Sequence, residues 1–117
     1  MSLYEHVIIS RPDISPTQVE ELVENLTKKV QNLGGSVERT EYWGLRNLAY
    51  RVKKNRKAHY NLLQINAEAS TIHEIERQHR SNEDILRYLS IRVEEFDEKP
   101  SPILAKRQER KRRERRD

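Results

Sequence analysis

The side chains best suited to bind another molecule lie in one short stretch, residues 42–57. From position 46 onward this stretch contains no acid and six cations: Arg46, Arg51, Lys53, Lys54, Arg56 and Lys57. A Lys or Arg that neutralises a phosphate releases a condensed counterion, so such a cluster favours binding to nucleic acid. The alternative is a solvated turn whose lysines protect a strand edge from aggregation. Two aromatic residues lie among these cations, Trp43 and Tyr50, and aromatic rings can stack on RNA bases.

The pattern within this stretch predicts a long hairpin. Leu48, Tyr50 and Val52 alternate with other residues, which is the period of a strand with one buried face. This parity favours packing of Tyr50 in the core over stacking on a base. The polar run 53–57 predicts a hairpin tip around Asn55, followed by a returning strand over residues 58–67. Gly44 is expected to mark a bulge or a bend in the first strand of this hairpin.

The first third of the chain predicts a strand followed by a helix. The strand covers Leu3 to Ser10, and its centre is rich in β-branched residues. A helix is expected to begin after Ser15, because Ser15 and Gln18 have the spacing of a capping box. Its apolar residues recur at helical intervals up to residue 33, and the pair 34–35, both glycine, predicts a stop at positive φ.

The remaining elements complete a recognisable order. A second helix is expected to open at residues 68–71 and to end at Asn82 in a left-handed conformation. A last strand is predicted over residues 85–93. The order strand, helix, strand, strand, helix, strand predicts an α+β, ferredoxin-like βαββαβ fold, in which two helices cover one face of a four-stranded antiparallel sheet.

Charge divides the chain into two parts. Residues 1–97 have 14 Lys and Arg and 15 Asp and Glu, a net charge of −1. Residues 98–117 have nine cations and four acids, a net charge of +5. We therefore expect one folded domain over residues 1–97 and a charged, flexible tail over 98–117, since so polar a segment buries too little apolar surface to offset its ordering entropy.

Catalytic and metal-binding signals are weak. Without cysteine the chain has no thiol nucleophile, no disulfide framework and no Cys-ligated zinc site. His73 and His79 are six residues apart and point to different sides of a helix, and the three glycines form no phosphate-binding loop. We expect no enzyme activity, metal, cofactor or small-molecule substrate. The start of the chain has no signal-peptide pattern and the apolar runs are too short to span a membrane, so a soluble, intracellular protein is expected.

The predicted sheet has apolar residues on both faces, whereas the helices can cover only one. The residues expected on the uncovered face are Val7, Ile9, Leu62 and some of Leu86 or Tyr88, with Trp43 at the bend. A contiguous apolar face predicts a binding surface for a partner. Alternatively, these are scattered exposed residues of the kind that soluble proteins normally carry.

The central stretch also resembles a known family. Trp43-Gly44-Leu45-Arg46 followed by Leu48-Ala49-Tyr50 is similar to the signature of the bacterial-type small-subunit ribosomal protein of the S-six family. Tyr4-Glu5, Gly34-Gly35 and Arg87-Tyr88 also match, and the resemblance covers residues 3 to 95. Two departures are His6 and His79, where the family usually has aliphatic residues.

This resemblance implies a structural constituent of the small ribosomal subunit. Such a protein binds the central domain of small-subunit ribosomal RNA together with the S-eighteen protein, as a heterodimer. The apolar outer face would meet that partner and the basic segments would meet RNA. The implied location is the cytoplasm, in the ribosome, or an organelle matrix for an organellar homologue.

Two other functions fit the same element order. An RNA recognition motif is disfavoured, because its third strand needs glycine and alternating exposed aromatics, whereas residues 56–63 contain one aromatic, Tyr60, and no glycine. A ferredoxin-like regulatory or oligomerisation module that binds only protein remains the alternative.

Overall fold

Two helices lie on one face of a four-stranded antiparallel sheet in the computed structural model, which describes residues 1–96. The strand order is β2-β3-β1-β4. The elements are β1 Ser2–Ser10, α1 Pro16–Asn32, β2 Ser36–Val52, β3 Asn55–Ala67, α2 Ala69–Arg80 and β4 Ile85–Val93. The predicted ferredoxin-like βαββαβ fold is confirmed. The expected tail, residues 98–117, lies outside the described residues.

Helix α1 begins and ends as its sequence predicts. The Gln18 backbone N–H donates to Ser15 Oγ at 3.2 Å, and the Ser15 backbone N–H donates to Gln18 Oε1 at 2.8 Å, which completes the capping box. The chain leaves the helix through Gly34, whose φ is +91°. Gly35 has a different task, since a Cβ there would lie 2.8 Å from the Ala67 Cβ. Its missing side chain lets β2 begin close against β3.

Helix α2 ends differently from the prediction. Its C-cap is Ser81 with a φ of −95°, and Asn82 is not among the described residues with positive φ. The left-handed stop expected at Asn82 is therefore wrong. Asn82 instead accepts a hydrogen bond at Oδ1 from the Asp84 backbone N–H at 2.9 Å. This side-chain turn leads the chain directly into β4.

The main core lies between the sheet and the helices. Ile8, Leu63 and Ile65 of the sheet pack against residues of both helices, among them Val30 and Ile75. All five of these side chains are fully buried. Because successive strand residues point to opposite faces, Val7 and Leu62 lie on the other face of the sheet, away from the helices.

Gly44 marks a bulge in β2, as predicted. The pairing of β2 with β3 shifts register between Tyr42 and Gly44, and Gly44 has a φ of +85°. A Cβ at this position would meet nothing within 4 Å, so the constraint comes from the backbone conformation and not from crowding.

Gly44→Val is therefore expected to destabilise the fold by about 1–3 kcal/mol, because a β-branched residue is strained at positive φ. Urea unfolding measures this change. Gly44→Asn is the matched control and should cost less, since asparagine tolerates the left-handed region. Equal stability of the valine variant and the wild type would contradict the conformational role.

Candidate nucleic-acid interface

The β2–β3 hairpin extends beyond the four-stranded sheet. Strand β1 pairs with β3 only from Ala67 to His59, whereas β3 begins at Asn55 and continues to pair with β2. We call the projecting ribbon, residues 46–58, the arm. Its pairs are Arg46 with Ala58, Asn47 with Lys57, and Val52 with Asn55. The six cations predicted to bind RNA all lie in this arm.

The tip of the arm is a two-residue turn. Lys53 and Lys54 have φ values of 48° and 69°, as in a type I′ hairpin turn. The Asn55 side chain donates to the carbonyl oxygens of Val52 and Lys53 at 3.2 and 3.1 Å. The turn therefore precedes Asn55, and the tip expected around Asn55 is displaced because Asn55 already belongs to β3.

Lysine is an unusual choice for both turn positions. A non-glycine residue in the left-handed region costs about 1–2 kcal/mol, and type I′ turns prefer Asn-Gly. Strained positions of this kind cluster at functional sites. Lys53 and Lys54 therefore place two charges at the tip of the arm at a cost in stability.

Five of the arm cations are exposed and have no ion pair with any carboxylate among residues 1–96. Arg51, Lys53, Lys54, Arg56 and Lys57 are solvent-exposed, and within residues 1–96 no carboxylate forms an ion pair with them. The sixth, Arg46, is half-buried, and its Nε donates to the Trp43 carbonyl oxygen at 2.8 Å. The arm thus presents a positive field with no internal neutralisation from the described residues.

Tyr50 is exposed, which corrects the expectation that it packs in the core. Its side chain is 83% exposed. Between the pair of Asn47 with Lys57 and that of Val52 with Asn55, β2 has residues 48–51 while β3 has only Arg56. This bulge breaks the alternation on which the expectation rested. Tyr50 also lies in the part of the hairpin that extends past the end of β1.

The residues expected to bind a partner do lie together on the outer face of the sheet. Val7, Leu62 and Trp43 form a second buried cluster, with Ile9 and Tyr60 packed at its margin. Trp43 is only 7% exposed, and its ring lies 6.4 Å from that of Tyr60 between centroids. The expectation that this whole group is left exposed is therefore wrong, because Val7, Leu62 and Trp43 bury one another.

The Trp43 ring is held in place from the side. Its Nε1 donates to Glu41 Oε2 at 2.8 Å, and Arg39 Nη2 forms an ion pair with Glu41 Oε1 at 2.9 Å. Because the indole N–H already donates to a side chain of the same protein, Trp43 acts as a packed, buried residue of the outer-face cluster. Any partner would touch the residues around it.

The exposed apolar residues of the outer face come mainly from β4. Leu89 is 51% exposed and Ile91 is 40% exposed. Leu89 pairs with Val7, so the two side chains share the outer face. Tyr88 lies on the helix side against the main core, and Leu86 is buried, so the expectation that they help form an exposed patch is wrong. The register of β4 could not be derived from its composition.

A buried histidine pair lies on the helix side of the sheet. The Nε2 atoms of His6 and His79 are 2.9 Å apart, and His6 Nδ1 lies 2.7 Å from Ser90 Oγ. Burial lowers the pKa of His6 from 6.5 to about 3, with a further contribution from His79, and burial lowers the pKa of His79 to about 4. Both rings are neutral at neutral pH, and one Nε2 donates to the other.

Within residues 1–96 no three potential ligands from His, Cys, Asp and Glu are grouped to hold a metal ion.

A match to a known protein family shows where this fold and its arm belong. The family model described as Ribosomal protein S6 matches residues 3–92. The chain belongs to the ribosomal protein S6 family. The arm with its six cations and the bulge at Gly44 are thus features of a small-subunit ribosomal protein.

Similar proteins agree with this family. The small ribosomal subunit protein bS6 of Hyphomonas neptunium is 51% identical over 95% of this chain and 99% of its own length. The corresponding protein of a Caulobacter strain is 56% identical over 92% of this chain and 85% of its own. The 30S ribosomal protein S6 of Thermotoga maritima, known from a crystal structure, has a TM-score of 0.74 at 24% identity and covers 96% of this chain and 97% of its own. The first two relatives are named as proteins of the small ribosomal subunit, and the likeness to the Thermotoga maritima structure shows the fold. No helix among residues 1–96 is long and apolar enough to cross a membrane.

Proposed function

We propose that the chain binds the central domain of small-subunit ribosomal RNA together with the S-eighteen protein, in the cytoplasm, as a structural constituent of the ribosome. The observation that carries RNA binding is the projecting arm, which holds five exposed cations unpaired with any described carboxylate. Membership of the ribosomal protein S6 family supports the setting. Metal, cofactor and substrate have no part in this function.

The geometry of the arm favours contact with the phosphate backbone. A two-stranded ribbon with cations on both strands can follow a groove or a backbone without reading base edges. The six proposed contacts are Arg46, Arg51, Lys53, Lys54, Arg56 and Lys57. Arg46 is the most constrained of them, because its hydrogen bond to Trp43 fixes the guanidinium at the base of the arm.

The sheet itself is a poor platform for RNA bases. Tyr60, which lies on the outer face, packs against the ring of Trp43. Leu89 and Ile91 are the exposed apolar side chains that β4 presents on this face, and aliphatic groups offer no aromatic surface to a base. The outer face therefore suits a protein partner, and we propose the S-eighteen protein for it, with Ile9 at the margin and the buried Val7, Leu62 and Trp43 as its support.

The two surfaces together predict cooperative binding. Labelled central-domain RNA titrated with the chain alone should bind weakly, and addition of the S-eighteen protein should raise the affinity by about 10²–10⁴-fold, because linked surfaces bind as one. Gel-shift or anisotropy titrations measure both affinities.

A variant of the outer face provides the control. Leu89→Thr with Ile91→Thr removes exposed apolar surface while it retains β propensity and charge. In the absence of the S-eighteen protein this variant should bind RNA as tightly as the wild type. It should lose most of the increase in RNA affinity that the S-eighteen protein causes. Equal RNA affinity with and without the S-eighteen protein would contradict the partner role, and failure to bind RNA in either case would favour the protein-only module.

A further inference from the structure

We propose that Tyr50 is a base-stacking residue, whose ring stacks on an unpaired RNA base beside the phosphates that the arm holds. This inference rests on the proposed RNA binding and specifies the part of the RNA involved. It assigns a role to the one aromatic side chain that the fold presents to solvent almost completely, with 83% of it exposed.

Most other aromatic residues have a structural task. Trp43 packs in the outer-face cluster with Tyr60. The Tyr42 hydroxyl lies 2.8 Å from His59 Nδ1, and the Tyr88 hydroxyl accepts a hydrogen bond from Arg80 Nε at 2.9 Å. Within residues 1–96 Tyr50 forms no hydrogen bond and no ring contact. Nothing in the described fold requires an aromatic ring at this position.

The backbone directs this ring outward. Tyr50 lies in the bulged segment 48–51, where β2 has four residues opposite the single residue Arg56 of β3. In a regular strand Tyr50 would share a face with Leu48 and Val52, which are both half-buried. The bulge breaks this alternation and re-aims the side chain.

The charges around Tyr50 indicate what it meets. Arg51 follows it in sequence and Arg56 lies opposite it in the arm, and both are exposed and without an ion pair among the described residues. An aromatic ring beside unpaired cations is the combination by which proteins hold single-stranded nucleic acid, since the cations take phosphates and the ring takes a base. Bases within a duplex are already stacked on their neighbours, so the partner of Tyr50 is an unpaired base in a loop, bulge or junction.

The test compares four forms of the protein on central-domain RNA in the presence of the S-eighteen protein. They are the wild type, Tyr50→Phe, Tyr50→Leu and Tyr50→Ala. The phenylalanine variant should bind within about twofold of the wild type, because it keeps the aromatic face. The leucine and alanine variants should bind about 5- to 150-fold more weakly, which is the stacking contribution of one base. The salt dependence should stay the same in all four, since no charge is removed.

Other outcomes separate the alternatives. If the wild type binds RNA and all four forms have equal affinity, or if phenylalanine fails as alanine does, the stacking role is overturned. If the alanine variant weakens binding to the S-eighteen protein without RNA, Tyr50 is a protein contact and the inference is again overturned. If the wild type does not bind RNA, the proposed function fails and this inference falls with it. Urea unfolding should show equal stability for all four forms.

Discussion

Replacement of Lys53, Lys54, Arg56 and Lys57 with alanine is expected to weaken RNA binding by about 10³-fold at 0.1 M salt, if each cation neutralises one phosphate. These four residues are exposed at the end of the arm, and no described carboxylate pairs with them. If each neutralises one phosphate, the slope of log affinity against log salt should flatten by about 0.7–0.9 for each cation removed. The measurement is a titration of central-domain RNA at several salt concentrations.

Two control variants distinguish the position of the charges from their number and from stability. The first removes four cations from the helices, with alanine at Lys28, Lys29, Arg77 and Arg80. It makes the same change in net charge and should reduce affinity much less. The second, Lys53→Asn with Lys54→Gly, removes two charges and supplies the residues that a type I′ turn prefers. It should be more stable than the wild type and yet bind RNA less tightly. An unchanged salt slope in the alanine variant would show that the tip is merely solvated.

Mild acid is expected to destabilise the fold through the buried histidine pair. Burial holds the pKa values of His6 and His79 at about 3 and about 4 in the folded protein, whereas both are near 6.5 in an unfolded chain. The unfolded state therefore takes up protons first. Above pH 6.5 the two histidines do not lower the free energy of unfolding. Below pH 6.5 the free energy of unfolding decreases with the pH, by up to about 1.4 kcal/mol per pH unit for each histidine. Urea unfolding at pH values from 7 to 5 measures this decrease.

A double substitution isolates this effect from the titration of carboxyl groups. His6→Leu with His79→Leu removes both members of the pair, so neither ring is left without its partner in the core. The free energy of unfolding of this variant should change much less between pH 7 and 5 than that of the wild type. His73→Leu is the matched control, because His73 is exposed on the same helix, and it should keep the wild-type dependence. Equal pH dependence in the wild type and the double variant would exclude the pair as the cause.

Local signals were sufficient for the type and order of the secondary-structure elements, but not for every boundary. The capping box at Ser15, the glycine at position 34 and the bulge at Gly44 each depend on residues a few positions apart, and the structure has all three. The turn at Lys53 and Lys54 was located only to within a few residues. Turn type depends on which backbone conformations the strands impose, and lysine gives no signal for positive φ.

In the proposed interface, too, some features could be predicted from the sequence and others depended on strand register. The six cations could be found from sequence because their number and the absence of acids do not depend on register. The exposure of Tyr50 could not, because one bulge between Asn47 and Val52 ends the alternation that favoured a buried ring. Side-chain orientation in a strand reverses with a shift of one residue, so parity arguments fail beyond any bulge.

The sequence by itself determined the order of the elements, the concentration of positive charge in the hairpin and the apolar character of both sheet faces. Only the tertiary structure decided that Trp43 closes over Val7 and Leu62, that Leu89 and not Tyr88 faces outward, and that His6 meets His79. The two histidines are 73 residues apart in the chain. Such contacts follow from strand register and from the packing of helices on the sheet, which arise from interactions between distant segments and leave no periodic trace in the local sequence.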